Sequence, residues 1–261
     1  MAYAPDGEGL QCDHCGHRLD VSEGGRQAGP AEEDFVLALA TARGHARPQA
    51  SPTFACGACG ARFLLAAETL SLTCPYCDAT YAIEASDEHV LIAPHAIVPL
   101  MISVDEARHK LQTWSRKAAG IGEELVIERL AAVHLPVWLF EMGDVIDWSA
   151  PPAGRGRGMD TGPLTGMEPP VSPIAVLACS RPQQGCAAAV EGMDPGLLVP
   201  YDPAYLAAWP AETYSLSLTN AALRARGRAL RATEGKLTTA AGGLRLTLRS
   251  ARLVVTSYRL A

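Results

Sequence analysis

Residues Cys56 to Cys77 read CGACGARFLLAAETLSLTCPYC. Cys56 and Cys59 form one C-x-x-C pair, Cys74 and Cys77 form a second, and fourteen residues lie between the pairs. Thiolates at i and i+3 on a tight turn supply two ligands to a metal, and zinc takes four in a tetrahedron. Each pair needs a bend whose backbone amides point at the sulfurs. Gly57 and Gly60 suit the first bend and Pro75 the second. The residues between, Ala61 to Thr73, are long enough to run out and back as a short hairpin. The spacing is that of a zinc ribbon over residues 54–85. Four free core thiols or a disulfide pair are the competing readings, and no feature of the chain marks secretion. A four-cysteine site has no open coordination position, so it folds a small domain and does not activate water.

Outward from the ribbon, residues 1–30 hold a further knuckle, Cys12-Asp-His-Cys15-Gly-His17. Cys12 and Cys15 are half of a second metal site. Its other half would have to come from His17, His45, or Cys179 with Cys186. Six residues separate the last two, which is not knuckle spacing, and they read better as small free thiols. Glu32 to Ala42 reads as a short helix with acids in its first turn. Arg43 to Thr53 reads as a linker, so residues 31–53 join knuckle to ribbon.

Residues 86–261 read as one α+β domain with antiparallel strands. Extended segments cut by prolines precede a helix that Ser103 caps, with Glu106 completing a capping box. Val104, Ala107, Leu111 and Trp114 recur at helical spacing and mark its buried face. Val133 to Phe140 (VHLPVWLF) reads as a strand at an edge or with a bulge. His134 has no acid or cysteine at ligand spacing and reads as structural. Ile174 to Cys179 looks like a buried strand. Asp202-Pro203 opens a short helix, aspartate as cap and proline first inside, and Thr213 to Leu218 alternates as an extended segment would. Asn220 to Ala232 reads as a helix carrying Arg224, Arg226, Arg228 and Arg231. Leu237 to Ala241 and Leu244 to Arg249 flank Gly242-Gly243 as a hairpin would, and Arg252 to Leu260 continues as a third strand.

Length allows one or two domains with a sizeable core. No run of about twenty apolar residues exists, and the best stretch, Val90 to Val104, is broken by Pro94, His95 and Pro99. The N-terminus carries no basic-then-apolar signal, which places the chain in the cytoplasm. The net charge of −6 is uneven. Residues 221–261 hold nine basic side chains and one acid, which leaves the first 220 residues at −14. An acidic body argues against general affinity for nucleic acid. The basic end either pairs with that body or offers phosphate contacts through Arg224, Arg226, Arg228 and Arg231. The Gly154-Arg-Gly-Arg-Gly158 run is a short flexible loop with two arginines.

The chain resembles the bacterial TFIIB-type zinc-ribbon proteins, some of them labelled primosomal or replication-restart helicase-like. The resemblance rests on the N-terminal knuckle, the Cys56 to Cys77 ribbon and His95-Ala-Ile-Val-Pro99. It also rests on the helix ending at Trp114, Leu135-Pro-Val-Trp138 and Tyr201 to Tyr214 (YDPAYLAAWPAETY). It implies a cytoplasmic, non-catalytic zinc protein with protein partners, for some relatives a membrane-associated scaffold. It implies a metal role for Cys56, Cys59, Cys74 and Cys77, and for Cys12 and Cys15. Relatives complete their first ribbon with a second C-x-x-C, absent here. They also run past the last strand into another Leu-Pro-Val-Trp-like segment, so truncation or completion by another subunit is expected. The helicase label finds no support in the residues: the only Gly-Lys, Gly235-Lys236, is followed by Leu237, and Leu230 stands where a phosphate-binding loop needs its first glycine. No hydrolase elbow, zinc-protease helix or dinucleotide fingerprint occurs. An interaction or scaffold protein with one structural Zn2+, or two, is the first reading. A nucleic-acid-binding accessory protein is the alternative, and an enzyme with an unrecognised site the third.

Overall fold

The structure, a computed structural model, describes residues 2–3, 9–11, 18–20, 33–36, 49–66, 69–83, 87–92, 94–117, 126–143, 146–150, 164–179, 186, 189–190, 192–240, 247–249 and 254–260. Its strands begin with β1 (Ala2–Tyr3), β2 (Gly9–Gln11), β3 (Arg18–Asp20), β4 (Glu33–Asp34), β5 (Gln49–Ala55) and β6 (Arg62–Leu64). Then come β7 (Ser71–Thr73), β8 (Thr80–Ala82), β9 (Asp87–Leu91), β10 (Ala96–Ile97) and helix α1 (Val104–Lys117). Strands β11 (Val137–Gly143), β12 (Ile146–Ala150), β13 (Leu164–Glu168), β14 (Ile174–Leu177), β15 (Val199–Pro200) and β16 (Ala211–Glu212) precede helix α2 (Leu218–Ala240). Strands β17 (Thr247–Arg249) and β18 (Val254–Leu260) close the order. Helices mixed with antiparallel strands make the α+β class expected from the sequence.

The chain forms two compact units, each assembled from separated segments. The first holds residues 1–31, 48–136 and 196–213; the second holds 32–47, 137–195 and 214–261. Residues 86–136 and 196–213, which motif reading assigns to the large C-terminal domain, therefore cluster with the ribbon.

In the first unit, β16, β6, β5 and β9 form a four-stranded antiparallel sheet, and β7 pairs with β8 beside it. Phe63, Leu65 and Leu72 are buried with Ala61, Cys56 and Cys74, and Phe54, Tyr81, Ile83 and Val133 pack against them. The ribbon's core is thus continuous with its sulfurs. Residues 43–53 are not all linker: from Gln49 onward they are β5, the central strand between β6 and β9. Pro52 has no N–H to give the ladder, and its carbonyl accepts the Leu65 amide, at 3.0 Å. Asp202 caps the short 3-10 helix Pro203–Ala207, its carboxylate accepting the Ala204 amide at 2.8 Å.

Helix α1 starts as expected, the Glu106 amide donating to Ser103 Oγ at 3.1 Å, while the Glu106 carboxylate pairs with Lys110 at 2.8 Å. Its expected buried face is covered only in part: Ala107 and Leu111 are half-buried. Val104 is exposed, Trp114 is 59 % exposed, and the buried position is Ser115. Helical spacing shows which residues share a face but not whether another element covers it.

His134 is held by its backbone: its amide donates to Pro210 O at 3.0 Å and its carbonyl accepts the Glu212 amide at 2.9 Å. Burial pushes its imidazole down to about 4. The unfolded chain takes up that proton near pH 6.5, so acid favours unfolding between about 6.5 and 4 and leaves stability untouched above that window. His134→Gln is expected to remove up to about 3 kcal/mol of acid sensitivity in that interval. Urea midpoints measured at pH 7 and pH 4.5 for both proteins check this. Equal pH slopes would rule it out, since the ribbon thiols titrate in both.

In the second unit, β14, β11, β18 and β4 form one antiparallel sheet, and β13, β12 and β17 a second. Val137 to Phe140 and Ile174 to Leu177 are buried without a break, as an apolar run covered on both faces should be. β11 is central rather than at an edge, and its bulge lies at Glu141/Met142 against β18. Helix α2 packs on β14 and β11. It buries Ala221, Ala222, Ala225 and Ala229, whose small side chains allow close approach. Thr233, fully buried, donates to Ala229 O at 2.8 Å and accepts the Val171 amide at 3.1 Å.

Several local expectations fail in this unit for tertiary reasons. Of the stretch expected as a helix, Glu33 and Asp34 form strand β4, pairing with Tyr258 and Ser257 of β18, while Phe35 and Val36 are helical; Glu32 and residues 37–42 lie outside the described set. Residues 213–217 are irregular, the amides of Ser215 and Leu216 both donating to Ala178 O at 2.9 Å. Of the hairpin expected here, the Gly242-Gly243 turn lies outside the described residues, and its flanks do not pair as expected. Leu237 to Ala240 continue α2, and β17 pairs with β12 instead. Near the end of α2, Lys236 pairs with Glu168 of β13 at 2.7 Å.

Trp148 of β12 lies opposite Gly166 of β13. A Cβ at Gly166 would stand 2.6 Å from the indole ring. Gly166→Ala is therefore expected to displace the ring and cost about 1–3 kcal/mol in a urea titration. An unchanged midpoint would show that the indole moves freely.

Candidate metal centre

The two knuckles are built alike. In the first, the Cys56 amide donates to Ala61 O and the Gly60 amide to Cys56 O, both at 2.7 Å. In the second, the Cys74 amide donates to Ala79 O at 2.9 Å and the Asp78 amide to Cys74 O at 3.0 Å. Each turn needs a left-handed residue just after its second cysteine. Gly60 takes it at φ 72° and Asp78 at φ 65°. Aspartate tolerates that region better than most side chains, and Arg129 pairs with its carboxylate.

These turns bring Cys56, Cys59, Cys74 and Cys77 together, with their sulfurs all within 4.8 Å of one another. Cys56 and Cys77 Sγ are 3.5 Å apart, Cys59 and Cys74 Sγ 3.7 Å. Four thiolates around a metal at about 2.3 Å stand about 3.8 Å apart, so the group fits a tetrahedral ion. Among the described residues it is the one such cluster. Cys56 and Cys74 are buried, Cys59 is half-buried and Cys77 is exposed.

The electrostatics call for a cation. The Tyr81 hydroxyl, against opposing burial and helped by the amides of Cys59 and Ala58, brings the Cys56 thiol down to about 6. Burial pushes Cys74 up. The Ala79 amide draws Cys77 down, but desolvation and the neighbouring sulfurs of Cys56, Cys74 and Cys59 push it up to about 12. The Cys56 thiolate forms readily while Cys74 and Cys77 are held back, and a positive ion among the sulfurs would favour ionising them as well.

Among the described residues, no other sequence-derived site residue joins this cluster. Cys12 and Cys15 lie outside the described residues. Cys179 is buried after β14 and Cys186 is exposed. Arg224, Arg228 and Arg231 share one flank of α2. At about 100° per residue, Arg226 falls on the opposite side of the buried alanines. Arg228 donates to Ala175 O at 2.6 Å, so part of its capacity serves the fold.

Motif reading missed Tyr81, Tyr76 and Glu212. Tyr76 stacks on Phe63 with ring centroids 6.0 Å apart, and its hydroxyl donates to the buried Glu212. Glu212 lies in β16, far along the sequence, and no motif links it to the ribbon. Tyr81 had one signal: it is four residues beyond Cys77, as Phe63 is four beyond Cys59.

No helix among the described residues is long and apolar enough to cross a membrane. No family model, curated protein or solved structure matches the chain.

Proposed function

We propose that this chain is a non-catalytic zinc-binding interaction protein of the TFIIB-type zinc-ribbon kind, working as a cytoplasmic scaffold element for a protein partner. The observation that carries the reading is the closed four-sulfur cluster. Soft thiolate donors in a tetrahedron suit zinc or an iron–sulfur centre, and two C-x-x-C knuckles on a ribbon suit structural zinc. All four positions are protein ligands, so the ion's work is to hold the first unit together. Elemental analysis with native mass measurement tests this. One zinc per chain is expected from Cys56, Cys59, Cys74 and Cys77, and a second would bring in Cys12 and Cys15. Iron, or no metal, would overturn the zinc assignment.

Nucleic-acid binding is the second reading, favoured by the exposed Arg224 and Arg231 two turns apart on α2. It requires affinity for DNA or RNA that weakens steeply with salt and falls when both become alanine. No binding at low salt would remove it.

A further inference from the structure

We propose that Tyr81 is a positioning residue for the metal, its phenol proton bonded to the Cys56 sulfur. The inference rests on the metal-binding reading above. Tyr81 is the middle residue of β8, opposite Leu72 of β7, and its ring lies against Phe54 with centroids 4.9 Å apart. The Ala58 amide donates to its hydroxyl oxygen at 3.0 Å, and Cys56 Sγ lies 3.5 Å from the same oxygen. A phenol has one proton to give. With its oxygen already accepting from Ala58, that proton is directed to the sulfur. The chain Ala58 N–H to Tyr81 O–H to Cys56 Sγ therefore clamps the first knuckle from a strand that follows the second.

The fold contains its own comparison. Phe63 occupies the position after the first knuckle that Tyr81 occupies after the second. Phe63 stacks on Tyr76 of the second knuckle, while Tyr81 meets Ala58 and Cys56 of the first. Each aromatic thus braces the opposite knuckle, but only Tyr81 brings a hydroxyl. The two halves are alike in packing and unlike in the hydrogen bond their sulfurs receive. A bond donated to a metal-bound thiolate fixes its lone pairs and spreads its charge, which orients the ligand and tunes the ion.

The test is Tyr81→Phe in the full chain, which keeps the ring and removes the proton. Zinc affinity, read by competition with a chromophoric chelator, is expected to fall about 10- to 100-fold. With Co2+ in place of zinc, the sulfur-to-metal charge-transfer band is expected to move to longer wavelength, because the thiolate loses a stabilising donor. Circular dichroism of the metal-loaded variant is expected to match wild type. Zinc affinity within two-fold of wild type with an unmoved Co2+ band would overturn the inference and leave the ribbon reading intact. A wild-type chain that binds neither zinc nor Co2+ would instead overturn the metal reading itself, and this inference with it.

Discussion

Cys74→Ser is expected to yield a chain that has lost one equivalent of metal and in which the first unit no longer holds its ribbon. Structural zinc bound by cysteines contributes about 10–16 kcal/mol in small domains, which equals or exceeds the whole stability of an ordinary domain. Serine keeps the size but is a poor ligand for a soft ion, and it leaves three sulfurs where a tetrahedral ion takes four. Cys74 is also fully buried within the apolar cluster, so the damage spreads to Phe63 and Leu72. Hydrogen exchange resolves the outcome by position. The amides of Cys56, Gly60, Cys74 and Asp78, bonded across the knuckles, are expected to lose protection, and those of β11 and β14 to keep it. A variant that retains its metal and its knuckle protection would refute the four-thiolate site. Loss of protection in both units together would show that they fold as one.

Trp138→Ala is expected to be the most damaging change in the second unit, at about 4 kcal/mol in a urea titration followed by circular dichroism. Trp138 is fully buried in the central strand β11. Its indole N–H donates to Leu216 O at 2.9 Å and its ring meets Tyr214 edge-on at 5.7 Å. Truncation opens a cavity and leaves the half-buried Leu216 carbonyl without its donor, two costs that add. Trp138→Phe separates them: it keeps most of the volume and loses the N–H, so about 1–2 kcal/mol is expected. A Trp138→Ala protein within about 1 kcal/mol of wild type would mean that the surrounding strands collapse into the space.

The ribbon was legible because its information is local. Two C-x-x-C pairs, a left-handed residue after each and a hairpin's worth of chain between them specify the turns without reference to the rest of the sequence. Buried strands such as Ile174 to Leu177 were legible because an uninterrupted apolar run has few other fates. What escaped was set by distant partners. The fourth strand of the ribbon sheet is two residues, Ala211 and Glu212, with no pattern of their own. Glu33 and Asp34 are a strand because β18 lies beside them, whatever their helical preference. Leu237 to Ala240 continue helix α2, whose Lys236 pairs with Glu168 of β13, although glycines downstream gave a turn signal. Trp114 shows the reverse case: the periodicity was real, but exposure depends on a covering element that spacing cannot reveal. At the four-cysteine cluster the cysteines were readable and their support was not, since Tyr81 carries no motif.

The strand order also sets a timetable on the ribosome. Strand β6 leaves the exit tunnel long before its neighbour β16, and Tyr76 precedes its partner Glu212 by 136 positions. At about 5–20 residues per second, that interval is on the order of 10 seconds. Throughout it the knuckles can already close on an ion, while one edge of the nascent sheet stays open to other strands. An early-closing metal clasp with a late-arriving edge strand makes that interval the period when a chaperone, or a neighbouring nascent chain, has the best access to this protein.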